Sequence, residues 1–179
     1  MHKLAIAPAP QRAPRTGRPH LSLTHVVRPA TMGDVGDIHE LVTVNAERGL
    51  VLPRTAGDIA AAIDDYITVA DGHGRVMACA ALQEYSPSLA EVGSVAVADQ
   101  ARGQGLGSMA VLGVEAVAWR RGIGELFALT LADRFFESLG YRRSALDRYP
   151  EKLARYEALA RQGVAIVPKS CFRKLTDGR

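Results

Sequence analysis

The stretch that decides the fold is VAVADQARGQGLGSMA, residues 95–110. Gly103, Gly105 and Gly107 alternate with other residues directly after Arg102, between two apolar runs. The pattern predicts a buried strand, a glycine loop and a buried helix. Such a loop can bind a dinucleotide, hold a nucleotide as a Walker loop, form a tight turn without a ligand, or bind a pyrophosphate at the start of a helix.

The context of the loop separates these four explanations. A dinucleotide fingerprint expects an early βαβ unit, whereas this loop follows two strands that we predict to be antiparallel. A Walker loop ends in Gly-Lys-Ser/Thr, whereas Gly107 is followed by Ser108 and Met109. Backbone N–H groups at a helix start and the helix dipole favour an anion there, and Arg102 can add charge at the rim. A pyrophosphate site is therefore favoured, and the tight turn without a ligand stays open as the alternative.

Composition limits the class of protein. The chain has 179 residues, 47% of them apolar, and a net charge of +3. Its first 25 residues carry Lys3, Arg12, Arg15, Arg18 and no acid, which leaves 18 basic and 19 acidic residues in the rest. Without a basic patch on the domain or a long apolar run, we expect a cytoplasmic protein that binds neither nucleic acid nor membrane.

The chain divides into a leader, one domain and a short tail. Residues 1–25, rich in proline and arginine, are expected to be a disordered leader or the product of a start codon assigned too early, with a weak anion-binding arm as the alternative. Residues 26–175 form the domain, and residues 176–179 the tail. Cys79 lies in an apolar run and is expected to be a buried thiol. No Cys/His cluster has the spacing of metal ligands, so we expect no metal.

Hydrophobic spacing and capping signals predict the secondary structure. The capping patterns Thr31-Met-Gly-Asp34 and Thr55-Ala-Gly-Asp58 precede two helices. Helices are predicted at residues 35–47, 59–66, 106–121, 132–139 and 150–162. Strands are predicted before residue 31, at 67–70, 75–85, 89–98 and 126–130, from residue 141, and between 164 and 175. With hairpin turns at 71–74 and 86–88, the fold class is α/β with a mixed, mostly antiparallel sheet flanked by helices.

Two segments resemble the GCN5-related N-acetyltransferase (GNAT) superfamily. They are VAVADQARGQGLGSMAV and LTLADRFFESLGY, and the resemblance covers about residues 26–145. It implies the GNAT fold, with a sheet that splays at an acetyl-CoA site, and acetyl-CoA as the co-substrate. It further implies that the pyrophosphate lies on the amides of residues 103–108 and pantetheine along residues 94–97. The implied acetyl-CoA contacts are Val95, Val97, Arg102, Gly103, Gln104, Gly105, Gly107, Ser108 and Phe136.

Finer matches resemble short, stand-alone bacterial N-acetylglutamate synthases. They are LVLPRT at residues 50–55, MACAALQEY at 77–85 and LAEVGSVAV at 89–97. This resemblance implies an α-amino acid acceptor, glutamate or glutamine, in arginine biosynthesis, with Arg54 and Arg173 gripping its carboxylates. Either arginine could instead be an ordinary surface charge. Gln83 and Gly93 depart from the synthase pattern, which expects basic residues there.

The expected chemistry is direct attack of an amine on a thioester, which needs a base to take a proton. Glu91 is the candidate because it is the only acid on the predicted strand beside the acetyl site; a solvated carboxylate at a hairpin end is the alternative. A backbone N–H near Val95 would meet the developing oxyanion.

The resemblance also marks a departure and leaves rivals open. Phe136 stands where many family members have a proton-donating tyrosine, and Tyr149, Tyr156 and Thr130 are possible substitutes among which the sequence does not choose. The rival functions are a GNAT enzyme acting on another small amine or a protein amino group, and a non-catalytic acyl-CoA sensor. A homodimer is compatible with the sequence.

Overall fold

A computed structural model describes residues 25–176. In chain order the strands and helices are β1 (Val26–Pro29), α1 (Val35–Glu47), α2 (Ala56–Ala61), β2 (Tyr66–Ala70), β3 (Val76–Ser86), β4 (Leu89–Val97), α3 (Leu106–Arg120), β5 (Glu125–Thr130), α4 (Asp133–Ser138), β6 (Arg142–Ser144), α5 (Pro150–Arg161) and β7 (Ser170–Leu175). Within this part of the chain, no helix has the length and apolarity needed to cross a bilayer. The leader predicted for residues 1–25 lies almost entirely outside the described residues.

The strands form a single sheet of seven in the order β1-β2-β3-β4-β5-β7-β6. Every neighbouring pair is antiparallel except β4 and β5, which are parallel. The predicted α/β class with a mixed, mostly antiparallel sheet is confirmed. The parallel pair forms because α3 intervenes between β4 and β5 and returns the chain across the sheet.

Helices cover both faces of the sheet. On one face, α3 buries Ala110, Val111 and Val114 against β2, β3 and β4. A side chain at Gly113 would put its Cβ 2.6 Å from Ile67 Cγ2, so α3 can approach β2 this closely only with glycine there. On the other face, α1 and α2 pack with Ile38, Val42 and Ile59 on a second apolar cluster, and the segment entering α5 stacks Tyr149 on Phe127 at 4.0 Å.

Most predicted elements are confirmed to within about two residues. The second capping pattern is a true capping box: Thr55 Oγ1 accepts from Asp58 N–H at 3.1 Å, and Asp58 Oδ2 accepts from Thr55 N–H at 3.0 Å. One assignment is wrong. Tyr66 was expected on the apolar face of the second helix, but α2 ends at Ala61, a 3-10 turn spans Ile63–Asp65, and Tyr66 opens β2.

The sheet splits along the β4–β5 pair. The two strands are paired over only three positions, from Leu89–Glu125 to Glu91–Phe127, although β4 continues to Val97 and β5 to Thr130. In the same region β4 contains a bulge, because Cys79 and Ala81 of β3 pair with Ala96 and Gly93. Ser94 lies in the bulge with φ +50°. The bulge increases the local twist, and β4 diverges from β5 directly after Glu91. The splayed sheet expected from the resemblance is therefore present.

Candidate active site at the splayed strands

A cavity of about 70 Å³ opens where β4 and β5 diverge. One wall is the stretch of β4 from Glu91 to Val95, and another is the end of β5 with Leu129 and Thr130. Phe136 of α4 also lines it, as do two residues of α5. The remaining lining comes from the loop before α2 and from the residue before β7: Leu50, Val51, Leu52, Arg54 and Lys169, with Gln83 of β3.

Glu91 faces this cavity as a buried, paired carboxylate. Its residue is only 6% exposed. Lys152 Nζ lies 2.7 Å from Oε1 and 2.8 Å from Oε2, and the Tyr85 hydroxyl donates to Oε2 at 2.9 Å. These contacts use three of the roughly four lone-pair positions of a carboxylate. The structure does not support the alternative of a solvated carboxylate at a hairpin end.

Lys152 is the central residue that the sequence did not reveal. It is 2% exposed, and its ammonium lies 4.7 Å from the ring centroid of Tyr156, one turn further along α5. Burial lowers the pKa of Lys152, and the charge of Glu91 opposes that shift. The only signal in the sequence was the spacing of Lys152 and Tyr156 on one helix face, which is equally typical of an exposed helix.

Two further cations line the cavity on different sides of Glu91. Arg54 donates from Nη2 to Gln83 Oε1 of β3 at 3.0 Å. Lys169 donates from Nζ to the Leu50 carbonyl at 2.9 Å, and burial together with Lys152 lowers its pKa. Because β3 and β7 lie on opposite sides of the β4–β5 pair, the Arg54 and Lys169 side chains approach the opening from two directions.

The structure does not bring Arg173 to the cavity. It lies on β7 opposite Phe127, two strands from Glu91, with Nη1 3.7 Å from Glu125 Oε2. Phe127 of the intervening strand β5 lies between Arg173 and Glu91, with the Tyr149 ring stacked on it. Arg173 instead lines a separate surface depression with Gly140 and Arg142. The basic residue of this segment that does face the opening is Lys169, directly before β7.

Of the three candidate substitutes for a proton-donating tyrosine, Tyr156 and Thr130 line the cavity and Tyr149 does not. The Tyr149 hydroxyl donates to Glu125 Oε1 at 2.7 Å, outside the cavity. Thr130 lines the cavity, and its Oγ1 accepts from the Ala132 N–H at 2.9 Å, a bond that does not use the Thr130 proton. Phe136 lines the cavity but is otherwise core, with edge contacts to Phe135 and Tyr141. Tyr156 lines the same cavity, and burial with the nearby Glu91 charge raises the pKa of its hydroxyl, which keeps it protonated.

The glycine loop has the geometry of an anion cradle. Gly103 and Gly105 have φ of +75° and +79°, and no atom lies within 4 Å of a Cβ built on either. The first bond of α3 runs from Met109 N–H to the Gly105 carbonyl, so the amides of residues 106–108 have no helical partner. At Gly107 a Cβ would lie 3.2 Å from Val97 Cγ2, so glycine permits close packing of the helix start on β4.

The remaining predicted contacts flank this cradle. Val95 lines the cavity, and Val97 lies under the helix start. Ser108 is in the first turn of α3, and Gln104 donates from its side chain to the Gln100 carbonyl at 3.0 Å. Arg102 already has protein partners, with Nε 3.0 Å from Asp99 Oδ1 and Nη2 3.1 Å from Asn45 Oδ1. Its role as a rim charge stays a prediction.

No metal site is evident in residues 25–176. There, three or more His, Cys, Asp or Glu side chains are nowhere grouped as ligands of an ion would be. Cys79 and Cys171 are both buried free thiols, on different strands.

Comparison with known proteins places these features in context. Residues 40–141 match the family model described as the acetyltransferase (GNAT) family. An uncharacterized N-acetyltransferase of Chlorobaculum tepidum is 36% identical over 129 residues, which are 72% of this chain and 83% of that protein. An amino-acid acetyltransferase of Mannheimia succiniciproducens is 30% identical over 145 residues, 79% of this chain but 33% of that protein. The chain thus spans about a third of the length of that larger relative.

Solved structures give the same fold. The N-acetylglutamate synthase of Neisseria gonorrhoeae, complexed with coenzyme A and N-acetyl-glutamate, superposes with a TM-score of 0.75 at 24% identity over 87% of this chain and 36% of that one. A Mycobacterium tuberculosis protein in complex with CoA superposes with a TM-score of 0.73 at 25% identity, over 84% of this chain and 98% of that one. The expected GNAT fold is therefore confirmed.

Proposed function

The chain belongs to the acetyltransferase (GNAT) family, and from that premise we propose that it transfers an acetyl group from acetyl-CoA to the α-amino group of glutamate or glutamine. The observation that carries the proposal is the charge of the cavity beside the splayed strands. Arg54, Lys152 and Lys169 contribute three cations and Glu91 one carboxylate, which leaves an excess of two positive charges.

The residues at the glycine loop fit the co-substrate. The open, left-handed glycines and the free amides at the start of α3 suit a pyrophosphate. Beyond Glu91, the β5 side of β4 has no strand partner, so its backbone groups are free to pair with an extended amide-containing chain. When bound, acetyl-CoA supplies the acetyl group as an activated thioester.

The acceptor assignment follows from the cations that remain after pairing. Lys152 neutralises Glu91 at 2.7 Å, and Arg54 and Lys169 then remain for the acceptor. Glutamate offers a match, because its two carboxylates can meet Arg54 and Lys169 and its amine can meet the open position on Glu91. A polyamine offers only cations, which this cavity would repel. The relatives and neighbours named as amino-acid acetyltransferase and N-acetylglutamate synthase support the same acceptor class.

Glu91 is the group that receives the proton of the attacking amine, directly or through a water. Lys152 and Tyr85 fix the position of its carboxylate before any acceptor arrives. The exposed backbone N–H groups of β4 near Val95 are suited to meet negative charge on the reacting carbonyl. We therefore propose Glu91 as the general base, as the sequence predicts, with Lys152 as the residue that positions it.

The test of the proposal is CoA release from acetyl-CoA with glutamate, glutamine, aspartate, lysine and spermidine offered separately. We expect turnover with glutamate or glutamine to exceed that with lysine or spermidine, because glutamate brings two carboxylates and glutamine a carboxylate and an amide oxygen to Arg54 and Lys169, whereas lysine and spermidine bring additional cations. Turnover confined to lysine or spermidine, which lack a second carboxylate or amide, would keep acetyl transfer and overturn the assignment of glutamate or glutamine as the acceptor. An absence of turnover with every amine, alongside normal CoA binding, would favour an acyl-CoA sensor.

The substitution Tyr156→Phe tests whether the Tyr156 hydroxyl donates a proton to the departing thiolate of CoA. We expect kcat to fall about tenfold with KM nearly unchanged, a smaller loss than the roughly 100-fold or more typical of general acids, because a thiolate also leaves unaided. The matched control is Tyr149→Phe, which removes a hydroxyl bonded to Glu125 outside the cavity. Steady-state kinetics in which both variants retain the kcat of the unaltered protein would exclude Tyr156 as the donor.

A further inference from the structure

We infer that Gln83 sets the preference between a carboxylate and an amide at the far end of the acceptor, because it holds Arg54 without neutralising it. This inference rests on the proposed function and deepens it. Gln83 pairs with Glu91 across β3 and β4 and faces the same cavity. The end of the acceptor that reaches Arg54 therefore meets Gln83 as well.

The hydrogen bond between Arg54 and Gln83 determines which atom of the Gln83 amide faces Arg54. A guanidinium has donors only, so the Gln83 atom 3.0 Å from Arg54 Nη2 is the amide oxygen. The amide nitrogen of Gln83 is then left as a donor. Arg54 and Gln83 thus offer the acceptor only N–H groups, which suit an end group rich in oxygen.

The charge of Arg54 is not compensated by the surrounding protein. Other arginines are held by carboxylates: Arg28 by Asp34 at 2.6 Å, Arg48 by Asp99 at 2.6 Å and Arg121 by Asp65 at 2.7 Å. Within residues 25–176, Arg54 has no carboxylate within 4.0 Å, and its recorded side-chain bond is to the neutral amide. A half-buried guanidinium held in this way keeps its full charge for a bound anion.

Carboxylates do lie close to this pair, but they are engaged elsewhere. Arg54 and Gln83 also line a second, outer groove of about 380 Å³. In that groove Asp65 and Glu84 both bind Arg121, at 2.7 and 2.8 Å, and Asp58 caps α2 through Thr55. Gln83 is therefore the position at which an acid would neutralise Arg54 at bonding distance.

The substitution Gln83→Glu tests the inference, since it keeps the size and the bond to Arg54 and adds one negative charge. We expect the ratio of kcat/KM for glutamate to that for glutamine to fall roughly 10- to 100-fold, the range for one charge-assisted hydrogen bond. Most of the change should lie in KM for glutamate. Gln162→Glu, at an exposed position after α5, adds the same net charge away from the cavity and should leave the ratio unchanged.

The outcomes separate the inference from the function on which it rests. If the unaltered protein acetylates glutamate or glutamine and Gln83→Glu leaves the ratio as it was, Gln83 does not set the preference, although the function stands. If the unaltered protein acetylates neither, the proposed function fails and the inference fails with it. A fall of the same size in Gln162→Glu would assign the effect to overall charge and overturn the role of Gln83.

Discussion

The substitution Gly105→Val is expected to weaken binding of acetyl-CoA by more than about tenfold, the equivalent of losing one or more charge-assisted hydrogen bonds. Gly105 has φ +79° and forms the N-terminal boundary of α3. The space in front of its α-carbon is open, and a branched side chain would occupy the position that a pyrophosphate needs. Calorimetric titration with CoA measures the effect without requiring turnover or an identified acceptor.

Gly122→Val is the matched control for this prediction. Gly122 follows the other end of α3, with φ +74° and likewise no atom within 4 Å of a built Cβ. Both variants should lose about 1–2 kcal/mol of folding free energy, because a side chain in the left-handed region is strained. Only Gly105→Val should lose CoA affinity. Equal CoA affinity in the two variants would exclude the loop as the pyrophosphate site. The pair Gly105→Ala and Gly122→Ala gives the same comparison with less backbone strain.

The parts of the fold that the sequence predicts are those determined by residues close together in the chain. The capping box of Thr55 and Asp58, the helical spacing in α1 and α3, and the glycine loop are all set by residues near one another in the chain. The boundary at Tyr66 was missed because helical spacing continues through it, whereas the pairing with Ala81 of β3 that makes it a strand is not local. The secondary structure of Tyr66 therefore depends on a long-range strand pairing, which hydrophobic spacing alone cannot reveal.

The active site was less predictable for the same reason. Glu91 and the glycine loop lie on the segment whose pattern carries the resemblance, and the structure brings both to the splayed strands. The partners of Glu91 and Leu50 come from far along the chain: Lys152 is 61 residues from Glu91, and Lys169 is 119 residues from Leu50. The prediction for Arg173 rests only on the positive charge of the last segment. Strand order separates this residue from the cavity: Arg173 lies opposite Phe127, two strands from Glu91 and near Glu125, and Lys169 just before β7 takes the position at the cavity.

The substitution Lys152→Met is expected to cost about 3–5 kcal/mol of folding free energy, the range for breaking a buried ion pair from one side. The loss arises because Glu91 would stay buried, next to Val92 in β4 and opposite Phe127 of β5, without its counter-charge. Turnover should also fall, because the carboxylate loses the group that holds it in place. Denaturant unfolding measures the first effect and steady-state CoA release the second. Lys174→Met is the control, since Lys174 forms a less buried pair with Glu115 outside the cavity at 2.7 Å.

The double variant Glu91→Gln/Lys152→Met separates stability from catalysis. Replacing both charges removes the uncompensated group, so most of the lost stability should return. Turnover should not return, because no carboxylate remains to receive the proton of the attacking amine. CoA binding should persist in all of these variants, since the glycine loop is unaltered. A double variant that recovers turnover together with stability would show that Glu91 and Lys152 are a structural pair, and the base would have to be sought elsewhere in the cavity.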